Sequence, residues 1–162
     1  MHFPKSKNRL TRDCRGVACI EIGIATFLMI VLAAFGLDLS LIIFGMDLND
    51  AACRDAARAA AQQNTQAKAL QAAQSQLSTH ATDGFWVSQP ILKSAAAPDF
   101  VYNDFLGNPP SNVSPYVTVT TLVNITCPAP ILFFGASFIK SGKIQFARRY
   151  TFPIVKQQFY GQ

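Results

Sequence analysis

The chain has 162 residues, half of them hydrophobic, and a formal net charge of +5. That is enough for one modest domain but not two. The charge is concentrated rather than spread: Lys5, Lys7, Arg9, Arg12 and Arg15 face only Asp13 before Gly16, whereas the rest of the chain is nearly balanced. A basic arm directly before an apolar segment is the positive-inside pattern of a membrane helix, and it argues against nucleic acid as the partner.

The apolar segment comes next. From Ile22 to Met46 the only charged residue is Asp38. At 1.5 Å per residue this stretch makes roughly 37 Å of helix, enough to cross a bilayer with some tilt. The arm then lies in the cytoplasm and the remainder of the chain across the membrane. A cleaved secretory signal fits poorly, because its apolar core is only about 7–15 residues long. The small-residue run "ARAAAQ" (Ala57–Gln62) also falls too far downstream. The segment is expected to stay as an anchor. Asp38 is costly at the centre of a membrane helix, about 2.5–3.5 kcal/mol on insertion scales. It either faces other helices, beside the small residues Ala33, Gly36 and Ser40, or lies near the outer interface and meets water there.

Beyond the membrane the helix is expected to continue. "DLNDAACRDAARAAAQQNTQAKALQAAQSQL" (Asp47–Leu77) is rich in Ala and Gln and contains no Gly or Pro. Asp50 and Arg54 stand at an attractive i, i+4 spacing. Leu70, Ala73 and Leu77 form an apolar stripe, and Asp83–Gly84 reads as the stop. The alternating pattern of strands follows. "FWVSQPIL" (Phe85–Leu92) predicts a short strand that Pro90 confines to an edge. Ser94–Pro115 reads as loop. "YVTVTTLVNIT" (Tyr116–Thr126) predicts a strand with Val117, Val119, Val123 and Ile125 on one face. "KIQFARRYTFPIV" (Lys143–Val155) predicts its partner, with Ile144, Phe146, Tyr150 and Phe152 in step. Between them, Pro128–Ile139 crowds apolar residues among prolines and a glycine. Leu132, Phe133 and Phe134 there either plug the end of a small core or form an exposed tip that binds a partner.

Of the four cysteines, Cys14 and Cys19 belong to the arm and the helix start, and Cys53 and Cys127 to the outer part. An oxidising compartment suggests a Cys53–Cys127 disulfide, against the alternative of two separate buried thiols. No metal-binding spacing is present and no cofactor or small-molecule substrate is expected. His80, Asp83, Asp99 and Asp104 are the only outer histidine and the carboxylates beyond the helix. They are too scattered to promise an acid–base or nucleophilic centre, so enzymatic activity is not expected.

Glu21 carries the most specific signal. It is the fifth residue after Gly16, behind a basic segment and at the head of an apolar helix. This resembles the leader of type IV pilins and pseudopilins, in which a dedicated membrane peptidase cuts after the glycine. The resemblance implies cleavage between Gly16 and Val17, leaving residues 17–162. A new α-amino group at Val17 needs a counter-charge in a low-dielectric setting, and a carboxylate one turn away supplies it within or between subunits. More narrowly, "RGVACIEIGIATFLMIVLAAFGLDLSLIIFGMDLNDAACRDAARAAA" resembles TadE-like proteins, the minor pseudopilins of the tight-adherence (Flp) pilus system. The family pattern places an acid late in the span, here Asp38. It then has a juxtamembrane N-x-A-A-R-x-A-A-R, here "NDAACRDAARAAA" with Cys53 inserted. Ile22 stands where processed members carry Tyr.

The expectation is therefore an α+β, pilin-like protein. A basic cytoplasmic leader (1–16) precedes a transmembrane helix (17–46), a periplasmic helix (47–82) and a small periplasmic domain (83–162) around an antiparallel sheet. The resemblance implies a structural role in pilus assembly at the bacterial inner membrane. Glu21, Gly36, Asp38 and Ser40 would make assembly contacts, and the prepilin peptidase, the major pilin and sister pseudopilins would be partners. The alternative is an uncleaved single-pass anchor that interacts with envelope or secretion machinery.

Overall fold

The structure is a computed structural model and describes residues 15–127, 132–133, 136–137 and 143–154. Its fold is α+β. Helix α1 runs without a break from Arg15 to Ala61, 47 residues. Leucine, isoleucine and alanine dominate it, and no proline interrupts it. Two surfaces divide its length. From Gly16 to Ala33 every side is exposed. From Asp38 onward one stripe is covered: Asp38, Gly45, Asn49, Ala52, Cys53, Ala56, Ala57, Ala60 and Ala61 are buried. Steps of three and four keep these residues on one helical face.

The helix does not continue to Leu77, where the composition alone would carry it. It stops at Ala61, where the Gln63 amide donates back to the Ala60 carbonyl at 3.1 Å. A second helix, α2, then starts at Gln66 and ends at Thr79. The Thr65 hydroxyl caps it, accepting from the Lys68 amide at 3.4 Å. Ala69, Ala73 and Leu77 are its buried stripe, flanked by the partly buried Leu70. The turn lets α2 fold back beside α1, so that alanines of both helices share one core.

Among the described residues six strands follow: β1 (Ile91–Leu92), β2 (Phe100–Asn103), β3 (Tyr116–Thr126), β4 (Leu132–Phe133), β5 (Ala136–Ser137) and β6 (Lys143–Pro153). β3 is central, with the limits expected from its sequence. β6 pairs antiparallel along its whole length, Tyr116 opposite Pro153 through Thr126 opposite Lys143. The other edge of β3 is covered by one antiparallel strand in pieces. Val87 bridges to Ile125, β1 pairs with Thr121–Leu122, and β2 pairs with Tyr116–Val119. Pro90 sits at the first interruption, on the edge as expected.

The second interruption is an excursion from Lys93 to Asp99. Thr120 closes its base by accepting from the Lys93 amide at 3.0 Å and donating its own amide to Asp99 at 2.8 Å. The Lys93 ammonium also reaches Asp99 Oδ1 at 3.1 Å. β2 lies inside the stretch that reads as loop; its four residues offer too little alternation to stand out among Pro98, Asn103 and Gly107. β4 and β5 pair as a separate small hairpin.

Both helices lie on one face of the sheet. Val117, Val119, Val123 and Ile125 point into it as expected, all fully buried, with Thr121 among them. Tyr150 and Phe152 of β6 join from the same side. The opposite face is polar, with Thr118 and Thr151 sharing a hydrogen bond of 2.8 Å.

Asp83 and Gly84 do not stop a helix; they start the broken edge strand. The Asp83 carboxylate accepts from the Val87 amide at 3.1 Å and the Trp86 amide at 3.2 Å. Gly84 has a φ of +69°, a left-handed conformation that suits glycine. Those amides, Val87 first, hold the Asp83 carboxyl below its ordinary 3.8. A depressed pKa means stabilisation that is present above the ordinary value and is lost as pH falls through the folded one. Asp83→Ala is therefore expected to lower the unfolding midpoint at neutral pH. The gap from the parent should narrow as pH falls below about 4, and a pH series of denaturation curves reads this directly. A constant gap would mean that the charge contributes nothing.

Candidate functional site: the bare span and its seam with the sheet

Two regions of α1 carry the features that need explaining. The first is the bare half. Val17, Ile20, Ile24, Phe27, Met29 and Ile30 are each about two-thirds exposed, and the apolar surface goes all the way round. A helix that is hydrophobic on every side belongs in a core or in lipid. No other described part of the chain covers this one, and it is long and apolar enough to cross a membrane.

Gly16 and Val17 lie in the first turn of α1, both exposed. Glu21, one turn after Val17, shares an open face with it, together with Ile20, Ile24 and Ala25. Gly36 is exposed, and a side chain built there would meet nothing. The Ser40 hydroxyl donates to the Gly36 carbonyl at 2.8 Å, so it is satisfied within its own helix. Asp38 is the member of this group that lies elsewhere. It is 0% exposed and sits where the domain first covers α1, near Cys127 at the end of β3. Its cover is thus the chain's own domain, a setting that neither expectation for Asp38 described.

The second region is the seam between α1 and the sheet. α1 runs antiparallel to β3: Cys53 lies against Val119, Asn49 against Thr121 and Gly45 against Ile125. A side chain at Gly45 would collide with the Ile125 side chain, so the missing Cβ is what gives Ile125 its place against the helix. Asn49, fully buried, joins three elements. Its Oδ1 accepts from the Thr121 hydroxyl at 2.8 Å, and its Nδ2 donates to the Phe146 carbonyl of β6 at 3.2 Å.

One turn on, the Cys53 thiol reaches the carbonyls of Val119 (3.4 Å) and Arg148 (3.3 Å). At the rim, Asp50 accepts from the Tyr150 hydroxyl at 3.1 and 3.2 Å. Arg54 (3.6 Å) and Arg148 (3.8 Å) flank the same carboxylate. The Arg58 guanidinium stands 5.6 Å over the Phe152 ring. The run "NDAACRDAARAAA" is therefore the docking strip for the sheet: small residues inside, Asn and Cys bonded to strands, charges along the rim.

The sequence names Tyr150 as one of the in-step residues of its strand and Asn49 as the head of the juxtamembrane motif, without joining either to this seam, and it does not single out Thr121. A signal for Thr121 existed, since it is the one polar residue in phase with the valines of β3.

The Cys53–Cys127 pair is corrected. Both thiols are free and buried. Cys53 meets β3 at Val119, and Cys127 lies eight residues further along an extended strand, roughly 26 Å away. A disulfide needs Cα atoms about 4.4–6.8 Å apart. Burial raises the Cys53 thiol above its ordinary value, and it raises Cys127 as well, with the Asp38 charge adding to the effect. A water-soluble alkylating reagent is expected to modify both far more slowly in the folded protein than in denaturant. A peptide map showing a Cys53–Cys127 cross-link would contradict this.

The remaining candidates are set out briefly. Leu132 and Phe133 form β4, while Phe134 lies outside the described residues. His80 Nε2 stands 3.5 Å from Asp55, tying the end of α2 to α1. The Asp104 carboxylate accepts from the Leu106 amide. No protein-family model, curated protein or solved structure matches the chain.

Proposed function

We propose that this chain is a structural subunit, a minor pseudopilin-like assembly component of a tight-adherence pilus. It would be held in the bacterial inner membrane by the first half of α1, with the basic arm in the cytoplasm and the domain in the periplasm. The observation that carries this reading is the bare, all-round apolar half of α1, with one acid, Glu21, a single turn from Val17. Such a rod, projecting from a small domain, suits packing among identical rods in a membrane or filament. Glu21 then pairs with the α-amino group freed at Val17, on the same subunit or a neighbour, and fixes the axial register. Its partners are the prepilin peptidase, the major pilin and sister pseudopilins.

A second reading has one observation in its favour. α1 is continuous helix through Arg15–Val17, so the Gly16–Val17 bond lies inside the helix rather than in an open segment. On that reading the chain is an uncleaved single-pass anchor that engages envelope or secretion machinery.

One experiment separates the two: intact mass and N-terminal sequence of the protein from its native membrane, beside Gly16→Asp. The first reading expects a start at Val17 that is lost in the variant. A start at Met1 in both removes the pilin-type role of Glu21 and leaves the anchor.

A further inference from the structure

The depth of the domain in the membrane follows from lengths along α1. The stretch from Gly16 to Leu37, free of cover by the sheet, is about 33 Å long at 1.5 Å per residue, close to a hydrocarbon core of about 30 Å. On the side of α1 away from the sheet, large exposed apolar residues continue through Leu39, Ile43 and Phe44 and then stop. From Gly16 to Phe44 is about 43 Å, which matches a bilayer with its headgroup layers, about 40–45 Å. The turns from Asp38 to Phe44 therefore fall in the outer headgroup layer.

The sheet reaches the same level. Ile125 touches Gly45, Trp86 packs in one cluster with Leu41, and the Thr126 amide donates to the Trp86 carbonyl at 2.7 Å. Because this edge runs antiparallel to β3, Phe85 lies one step further toward the Cys127 end, which is the membrane end. Phe85 is 68% exposed and stands edge-on to Trp86, ring centroids 4.6 Å apart. In water that exposure is unfavourable, but at a membrane interface aromatic rings are at home.

We infer that Phe85 and Trp86 form an aromatic foot that seats the domain in the headgroup layer of the bilayer that α1 enters. The inference rests on the membrane reading of α1. The occupant of this surface is phospholipid: the patch is continuous in height with the apolar span, and the Asp83 turn beside it holds its backbone in place. The foot and α1 together give the domain two points of attachment, so that its tilt relative to the membrane is set by structure rather than by chance.

Trp86 is the only tryptophan in the chain and serves as its own probe. The full chain is reconstituted in phosphatidylcholine vesicles carrying bromine on the acyl chains, either near the headgroup or near the terminal methyl. Resistance to alkaline extraction reports separately whether α1 is inserted. With α1 inserted, the headgroup-side bromines are expected to quench Trp86 by roughly half, and the deep ones much less. Phe85→Asp, at an exposed position, is expected to leave the denaturation curve in detergent unchanged and to lose most of that quenching.

Inserted protein without quenching overturns the foot while leaving the span intact. If cross-linking then places Trp86 against another protein subunit, the patch is a protein interface instead. Stronger quenching by the deep bromines overturns the headgroup placement. Unchanged quenching in Phe85→Asp removes Phe85 from the foot. Extraction of the protein by alkali removes the membrane reading and the foot with it.

Discussion

Phe100→Ala is expected to cost about 3–5 kcal/mol, the largest loss of any single truncation in the domain. The core explains why. Seven of its buried positions on the two helices are alanines, which allow close approach but each contribute little apolar area. Among the described residues Phe100 is the largest fully buried side chain, and it comes from β2, opposite Val119. It belongs to the one buried cluster that also holds the alanines of both helices and Leu77. Small domains have about 5–15 kcal/mol of stability in total, so this one ring is a large share of it. Denaturant unfolding in mild detergent, followed by circular dichroism, is the measurement. Phe100→Leu should lose much less, about 1–1.5 kcal/mol, because most of the volume is kept. Equal losses for the two variants would show that the ring's volume is not what matters there.

The second large effect belongs to Asn49. Asn49→Leu keeps the branching and the number of heavy atoms but strands the Thr121 hydroxyl, and it removes a donor from the Phe146 carbonyl, all in a buried place. Each unsatisfied buried group costs about 1–3 kcal/mol, so a loss of about 2–4 kcal/mol is expected. Adding Thr121→Val removes one of the stranded groups. The double variant should therefore be more stable than the sum of the two single losses by about 1 kcal/mol. Strict additivity would mean that the hydroxyl and the amide do not depend on each other.

How much of this was legible beforehand depended on whether a feature is local. The apolar span, β3 and β6 are continuous patterns, and each was readable from its own residues. The break between α1 and α2 was harder, because Gln62–Gln66 differs little in propensity from the alanine- and glutamine-rich sequence around it. Its signal was the pair Asn64–Thr65, two weaker helix formers of which the second is the cap. β2 is short and framed by turn residues, and it exists because β3 offers a free edge. The Asn49–Thr121 bond joins residues 72 positions apart, which no local pattern can report. The two cysteines show the opposite error. Compartment and number made a disulfide attractive, yet each thiol meets β3 at a different height.

The continuity of α1 has a mechanical consequence. One rod is the candidate membrane span at one end and part of the domain's core at the other, with no loop between them to act as a swivel. A pull on the apolar end reaches the sheet as shear, because α1 and β3 lie antiparallel rather than crossed. Shear loads the Asn49 and Cys53 contacts and the β3–β6 ladder together, so these bonds must fail at once rather than one after another. A twist of the rod likewise turns the whole domain. A continuous helix of this kind passes tension and rotation on to the sheet rather than absorbing them.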